Sequence, residues 1–240
     1  MNVDDLWQQS PHADSYVVDE AGNNSTCARC HAPVNWLPSM DDIPASCQTC
    51  KFEVSEPPPY ISQEEWEDVG CVVCHKVDRN DEVLPGFAWL EIAQIGEYEE
   101  LDTTSQLCQK CHIAEVDLPS HHGVEMEGVH TDFVCTDCHN PHDTTASCGA
   151  VDCHHDVSMV DSPIPGHDEN HLTVHCVACH DADGMRVDFS EDIGLWITYI
   201  SGSAGEAIKE YTSHNIQLPV QCERCHHPDN PWDLPTVDQP

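Results

Sequence analysis

The chain has 240 residues, and its 44 Asp and Glu against 8 Lys and Arg give a formal net charge of −36 at pH 7. So acidic a surface repels polyanions, which argues against nucleic acid as a partner. Leu, Ile, Val and Phe together number only 48 residues, too few for the core of an ordinary domain of this length. Some other material must therefore supply the apolar interior.

Sixteen cysteines indicate what that material is. They form eight closely spaced pairs, and His or Lys follows each pair at once. Six pairs read Cys-x-x-Cys-His, the attachment motif of c-type haem, in which two thioethers hold the porphyrin and the imidazole ligates its iron; about 0.1 such motifs are expected by chance. We therefore expect eight covalently bound haem c groups. The cysteines are Cys27, Cys30, Cys47, Cys50, Cys71, Cys74, Cys108, Cys111, Cys135, Cys138, Cys148, Cys153, Cys176, Cys179, Cys222 and Cys225.

Two other uses of paired cysteines explain the pattern less well. Tetrahedral zinc sites also employ Cys-x-x-Cys, but zinc gives no reason for a ligand-type residue directly after every pair. Disulfides within the pairs would cross-link only residues that are already close in sequence.

The first motif, residues 27–31, is preceded by Trp7, Ser10, His12 and Ala13 in the pattern Trp-x-x-Ser-x-His-Ala. This pattern resembles the lead-in of many multihaem cytochromes, where its histidine is a distal haem ligand. The resemblance implies that His12 ligates the second face of a haem.

The second motif departs from the rule because Lys51 stands where histidine is expected after Cys50. Cys-x-x-Cys-Lys is similar to the active-site haem motif of pentahaem nitrite reductases and of octahaem nitrite and tetrathionate reductases. Those enzymes are much longer, and this chain has few arginines to hold an anion. Three interpretations stay open: Lys51 ligates an open catalytic haem, it ligates a haem closed by a distal histidine, or it stands aside while two histidines ligate the iron.

The third motif, residues 71–75, follows a proline-rich stretch at 55–60 that predicts a sub-boundary. Residues 87–95 lie between Pro85-Gly86 and Gly96, and we predict a helix there. The fourth motif, residues 108–112, is followed by His121 and His122. His130 and His142 flank the fifth motif, residues 135–139.

The sixth motif, residues 148–154, has four residues between its cysteines. It resembles the longer attachment motif of tetrahaem cytochromes c3, which holds haem in the same way. His155 directly after His154 also resembles that family, in which the second histidine ligates a different haem. His227 after His226 repeats the pattern.

His167, His171 and His175 precede the seventh motif, residues 176–180. The most apolar run, residues 193–200, is too short to span a bilayer. We predict a helix over 204–211, before His214. The eighth motif, residues 222–226, is followed by an extended C-terminal arm over 228–240, which can dock on its own chain or on a neighbour.

The supply of histidine suits two imidazoles per iron. Seven of the 18 histidines lie in the motifs as proximal ligands, and eleven remain for the other axial positions. The proximal ligands are His31, His75, His112, His139, His154, His180 and His226. The predicted distal ligands are His12, His121, His130, His142, His155, His171, His175, His214 and His227. Methionine ligation through Met40, Met126, Met159 or Met185 is the alternative.

Residues 12–227 as a whole resemble octahaem c-type cytochromes. The resemblance implies one elongated, haem-packed domain over 1–240, mostly irregular, with short α-helices at the motifs and little β structure. It also implies electron transfer outside the cell membrane, to redox partner proteins or extracellular acceptors. The high haem density, the small conventional core and the terminal arms also resemble extracellular cytochrome filaments, in which a histidine of one subunit ligates a haem of the next. We expect His12 to do so in a homopolymer. A soluble periplasmic shuttle and a small reductase are the alternatives.

The N-terminus is acidic and shows no apolar leader, so we expect the numbering to start near the mature end of an exported protein. Three interpretations of the acidity remain: a solvated surface, sites for divalent cations such as Ca²⁺, or a docking field for a basic redox partner.

Overall fold

The computed structural model of the chain describes residues 2–18, 24–38, 60–80, 82–113, 121, 123–150, 152–157 and 163–236. Two compact units divide the chain: Met1–Cys111 with Val134–Ala146 form the first, and His112–Phe133 with Ser147–Pro240 form the second. The predicted sub-boundary at 55–60 lies outside the described residues except for Tyr60. Short helices and two antiparallel sheets make up the regular structure that is described.

The helices described in the first unit are only four or five residues long. They are α1 (Val3–Trp7), α2 (Ala28–His31), α3 (Cys71–Cys74), α4 (Thr104–Cys108) and α5 (Cys135–Cys138). Helices this short are unstable alone in water, so caps and tertiary contacts must hold them. At α4, for example, the Thr103 side chain accepts a hydrogen bond from the Gln106 backbone, and the Gln106 side chain bonds back to Thr103.

A two-stranded antiparallel sheet joins β1 (Trp89–Ile92) to β2 (Glu97–Glu99), with a 3₁₀ turn at Ala93–Ile95 between them. The helix predicted over 87–95 is therefore wrong. Trp89, Leu90 and Ile92 are all buried. Such a short, nearly continuous apolar run fits a buried strand as well as a helix, and periodicity does not separate the two.

The N-terminal segment packs against the residues that lead into α3. The Trp7 indole donates to the Val69 carbonyl at 2.8 Å, and the Val69 N–H donates to the His12 carbonyl at 3.1 Å. Beside these bonds, buried Ala28 and Trp66 belong to a small apolar cluster. The first attachment motif is thus fixed to the lead-in of the third.

In the second unit, a three-stranded antiparallel sheet has the order β3-β4-β5, with β3 at Arg186–Ser190, β4 at Leu195–Ser201 and β5 at Ala207–Glu210. The helix predicted over 204–211 is wrong, because this stretch supplies β5. Helix α6 (Cys176–His180) packs on β4. The two sheets give more β structure than the sequence predicted.

The second unit also contains two 3₁₀ turns, Glu169–His171 and Cys222–Arg224. The first carries the predicted ligand His171, and the second begins at the first cysteine of the eighth motif. The described part of the predicted C-terminal arm docks on this same unit: the Trp232 ring packs edge-on against Trp196, with centroids 4.8 Å apart. Across the described residues, no helix combines the length and apolarity needed to cross a membrane.

Candidate metal centres

The Cys-x-x-Cys-His motifs share one local geometry. In α3, the residues Cys71 and Cys74 stand three positions apart on a helical turn, so both thiols project from the same side. The His75 N–H donates to the Cys71 carbonyl at 2.9 Å and closes the turn. The same bond closes the motifs of His31 at 3.0 Å, His139 at 2.9 Å and His226 at 2.9 Å.

The long sixth motif reaches the same closure despite its two extra residues. The His154 N–H donates to the Cys148 carbonyl at 3.1 Å, while the Cys153 N–H donates to the Ala150 carbonyl at 2.9 Å. The longer motif is therefore closed by the same bond between its histidine and its first cysteine. This geometry supports the interpretation of the motif as equivalent to the shorter ones.

Four motif histidines lie opposite a histidine from elsewhere in the chain. The ring centroids are 6.2 Å apart in His75/His142, 6.0 Å in His154/His130, 6.1 Å in His180/His167 and 6.1 Å in His226/His171. Two imidazoles that bind opposite sides of one metal at about 2 Å have centroids about 6 Å apart. Each pair is therefore spaced to hold a single metal atom between its rings.

Hydrogen bonds to backbone carbonyls orient the rings of five motif histidines. In each, Nδ1–H donates, so Nε2 keeps its lone pair for a metal. The acceptors are Gln217 for His180 at 2.9 Å, Pro235 for His226 at 2.7 Å, Thr144 for His139 at 3.0 Å, Ser15 for His31 at 3.2 Å, and Gly86 for His75. Such contacts are typical of metal-ligating histidines.

The four pairs include three of the predicted distal ligands, namely His130, His142 and His171. They also include His167, which was not predicted as a ligand. Three histidines precede the seventh motif, and their sequence spacing gives no basis for choosing among them. Predicted ligand His175 caps α6, because its Nδ1 accepts the Val177 N–H at 3.4 Å. Burial lowers the pKa of His175.

Predicted ligands His121 and His214 line one cavity of about 230 Å³ in the second unit. The Tyr211 hydroxyl lies 3.3 Å from Nδ1 of His214. Burial, with the nearby charges of Asp183 and Glu125, raises the pKa of Tyr211 to about 12.

His12 is half-buried on the 3₁₀ turn Pro11–Ala13, and burial lowers its pKa. This favours the neutral imidazole, the form that ligates metals. His112 and His155 are exposed, whereas His227 is half-buried. Met126 is half-buried, and half-buried Met185 lines a cavity of about 380 Å³ beside Arg224. Cys47, Cys50, Lys51, Met40 and Met159 lie outside the described residues.

Several motifs touch through their cysteines. In the first unit, the Cys111 sulfur lies 3.7 Å from the Cys30 carbonyl oxygen, and a hydrogen bond with the Cys111 thiol lowers the pKa of Cys30 to about 7. A similar bond with Cys108 lowers the pKa of Cys135 to about 6. In the second unit, a bond with Cys148 lowers the pKa of Cys176 to about 6. The first motif thus adjoins the fourth, the fourth adjoins the fifth, and the sixth adjoins the seventh.

Three of the eight cationic residues precede the second cysteine of a motif, and each has an acidic partner. Arg29 lies between the rings of Trp36 and Trp89, at 4.5 and 4.7 Å, and bonds Glu91 at 3.0 Å. Lys110 bonds Glu99 at 2.6 Å.

The third of these ion pairs is buried. Arg224 lies 3.1 Å from the carboxylate of Asp181, and the two side chains are 12 % and 0 % exposed. Asp181 also accepts the backbone N–H of Asp183 at 3.0 Å and of Met185 at 2.8 Å. Asp181 directly follows the seventh motif, so this pair fixes the eighth motif to the seventh.

No group of three or more His, Cys, Asp or Glu among the described residues forms a metal site made of protein ligands alone. None of the 14 described cysteines is in a disulfide. The described residues instead place pairs of imidazoles beside pairs of thiols.

No family model matches the chain, and no curated protein or solved structure matches it either.

Proposed function

We propose that the chain is an exported electron-transfer protein that carries eight covalently attached haem c groups, most of them ligated by histidine on both faces. The observation that supports this best is the set of four histidine pairs. Each pair combines a motif histidine with one from elsewhere, at 6.0–6.2 Å between ring centroids. That separation suits two imidazoles on one metal atom.

The described residues fit haem in three respects. Paired thiols project from one side of a helical turn, as two thioether bonds to one porphyrin require. The adjacent imidazoles keep Nε2 available because Nδ1–H donates to a carbonyl. A second imidazole stands opposite. Bound haem iron supplies one-electron redox chemistry.

Ligation on both faces determines the class of function. Two imidazoles that held one haem iron would leave it no position for a substrate. The residues of such a site hold and tune a redox centre without catalysing bond chemistry. This supports electron transfer over a reductase for the four centres whose pairs are described.

The contacts between motifs support transfer from one centre to the next. In the first unit, α4 and α5 are tied by a hydrogen bond from the Cys135 N–H to the Ser105 hydroxyl at 3.1 Å, and by the Thr104 and Thr136 hydroxyls at 2.8 Å. Cys108 and Cys135 are hydrogen-bonded across this contact. Porphyrins attached at these positions would have neighbouring edges.

The test is a haem count together with ferric spectroscopy on the purified holoprotein. We expect the mass of eight haem c groups, a matching pyridine haemochrome, and electron paramagnetic resonance (EPR) signals dominated by low-spin ferric iron. The matched control is the double variant Cys135→Ala with Cys138→Ala, which should lose the mass of one haem. Recovery of zinc or of haem-free protein after expression with haem-attachment machinery would contradict the proposal.

Two further proposals concern the use of the electrons. Reduction of nitrite, hydroxylamine or tetrathionate at a Lys51 haem depends on residues outside the described part of the chain. The second proposal is head-to-tail assembly of the chains, in which His12 would ligate a haem of the next subunit. The half-buried position of His12 beside Val69 favours a role for this ligand within its own chain.

A further inference from the structure

One paired histidine differs from the others in what its ring contacts. His171, which stands opposite His226, lies with its Nδ1 3.0 Å from the Oδ1 of Asp168. Within the four described pairs, Nδ1 of His75, His180 and His226 contacts a backbone carbonyl, and the buried Nδ1 of His167 has no hydrogen-bond partner among the described residues. A carboxylate therefore accepts the N–H of one proposed axial ligand, where neutral carbonyls accept the N–H of three others.

The turn around Asp168 fixes this contact. The same Oδ1 accepts the Asn170 N–H at 3.0 Å and so caps the 3₁₀ turn Glu169–His171. This hydrogen bond holds the Asp168 carboxylate toward the ring, and the His171 backbone N–H donates to the Asp168 carbonyl at 3.1 Å. Its side chain is 48 % exposed and that of His171 is 31 % exposed, so solvent reaches the contact.

A carboxylate that accepts the N–H of a metal-ligating histidine increases the basicity of the ring and makes it a stronger donor to the metal. Stronger donation and a nearby negative charge both favour the ferric form, which carries one more positive charge than the ferrous form. A neutral carbonyl that accepts the same N–H also favours the ferric form, but more weakly than a carboxylate does. Ligand electronics and nearby charge are main determinants of haem potentials.

We propose that Asp168 is a positioning residue that lowers the reduction potential of the haem held by His171 and His226, below that of the neighbouring haem held by His167 and His180. This inference rests on the proposed function. Cys179 of the seventh motif lies near Cys222 and Cys225 of the eighth, and Arg224 with Asp181 ties these motifs together. Electrons in the second unit therefore move favourably from the eighth centre to the seventh.

The test compares redox titrations of wild-type and Asp168→Asn holoprotein. The Asn oxygen can still accept both N–H groups, so the substitution removes the charge and retains the cap and the contact with His171. We expect one of the eight reduction steps to move to a more positive potential while the low-spin EPR spectrum persists. Asp168→Ser, which also caps turns without a charge, should shift the same step in the same direction.

The matched control is Asp78→Asn. Asp78 holds a comparable turn, since its Oδ1 accepts the N–H groups of Asn80 at 2.7 Å and Glu82 at 3.0 Å. The potentials should be unchanged in this variant. If Asp168→Asn and Asp78→Asn shift all reduction steps alike, the effect is one of net charge and the inference fails. It also fails if Asp168→Asn and Asp168→Ser shift no step.

A separate variant distinguishes this failure from failure of the proposed function. His171→Ala should convert one low-spin haem to a high-spin ferric form. If His171→Ala leaves the spectrum unchanged, His171 is not a ligand and the proposed ligation is wrong at this centre. If it produces the high-spin signal while the Asp168 variants shift nothing, the tuning role alone is overturned.

Discussion

The imidazole rings of His75 and His142 lie parallel, with 4° between their planes and 6.2 Å between their centroids. His75 ends an attachment motif, whereas His142 follows a different one, and both belong to the first unit. Two parallel imidazole rings at this separation can bind one metal atom from opposite sides. The pair is therefore the most direct target for testing ligation.

Replacement of His142 by alanine should open one face of the His75 centre. We expect a new high-spin ferric EPR signal equivalent to about one haem of eight, because one axial ligand is lost. The control is Asp143→Asn, which alters the adjacent turn and leaves the imidazole in place. A fully low-spin His142→Ala protein would contradict the assignment.

His167 and His175 should respond differently to substitution, although both precede the seventh motif. Loss of His167, which stands opposite His180, should produce a high-spin signal. Loss of the His175 ring removes a helix cap, so His175→Ala should stay low-spin and lose about 0.5–1 kcal/mol of unfolding free energy. EPR and denaturant titration of the two variants measure these outcomes. The reverse pattern would favour the ligand chosen from the sequence.

The buried pair Arg224 and Asp181 should contribute strongly to the stability of the second unit. Arg224→Met leaves the Asp181 carboxylate buried without its cationic partner, and we expect a loss of about 3–5 kcal/mol in unfolding free energy. Arg186→Met is the control, because Arg186 and Asp188 form a more exposed pair, for which about 1 kcal/mol or less is expected. Equal losses in the two variants would contradict the prediction.

Gly128 should be required for the position of His130. It has a φ of +77°, and a Cβ there would overlap the Ile216 carbonyl oxygen, which accepts the Val129 N–H at 3.1 Å. Gly128→Ala should therefore displace the turn and disturb the centre that pairs His130 with His154. Spectroscopy should show a partly high-spin haem.

The control for this substitution is Gly194→Ala. Gly194 also has a positive φ, of +69°, but a Cβ there meets open space. This variant should lose only about 1 kcal/mol from backbone strain and keep its low-spin spectrum. If the two alanine variants behave alike, the close approach to Ile216 has no role.

Assembly is tested by electron microscopy of wild-type and His12→Ala protein with and without added salt. A net charge of −36 per chain opposes association, and screening should promote it. If the wild-type protein forms filaments and His12→Ala does not, the result would support His12 as a ligand between subunits. Filaments that persist while one haem of the variant becomes high-spin would place His12 within its own chain.

The cysteine spacing by itself predicts the attachment motifs, because two thiols and an imidazole on one short turn form a local pattern. The low apolar content likewise indicated that something other than side chains fills the interior. The strand positions were less predictable. Residues 87–95 and 204–211 were expected as helices, yet antiparallel pairing with the adjacent strands β2 and β4 makes strands of β1 and β5. Both stretches are too short for periodicity to decide between helix and strand, so contacts with the neighbouring strand decide their structure.

The choice of distal histidine depended most on tertiary structure. His130, His142 and His171 were candidates from the sequence, but their partners His154, His75 and His226 were not assigned. His167 became a candidate ligand only because the fold places its ring near that of His180. A distal ligand reaches its site through space, so spacing along the chain does not encode it. The motif histidine follows its cysteines on one hydrogen-bonded turn, so local sequence suffices to predict it.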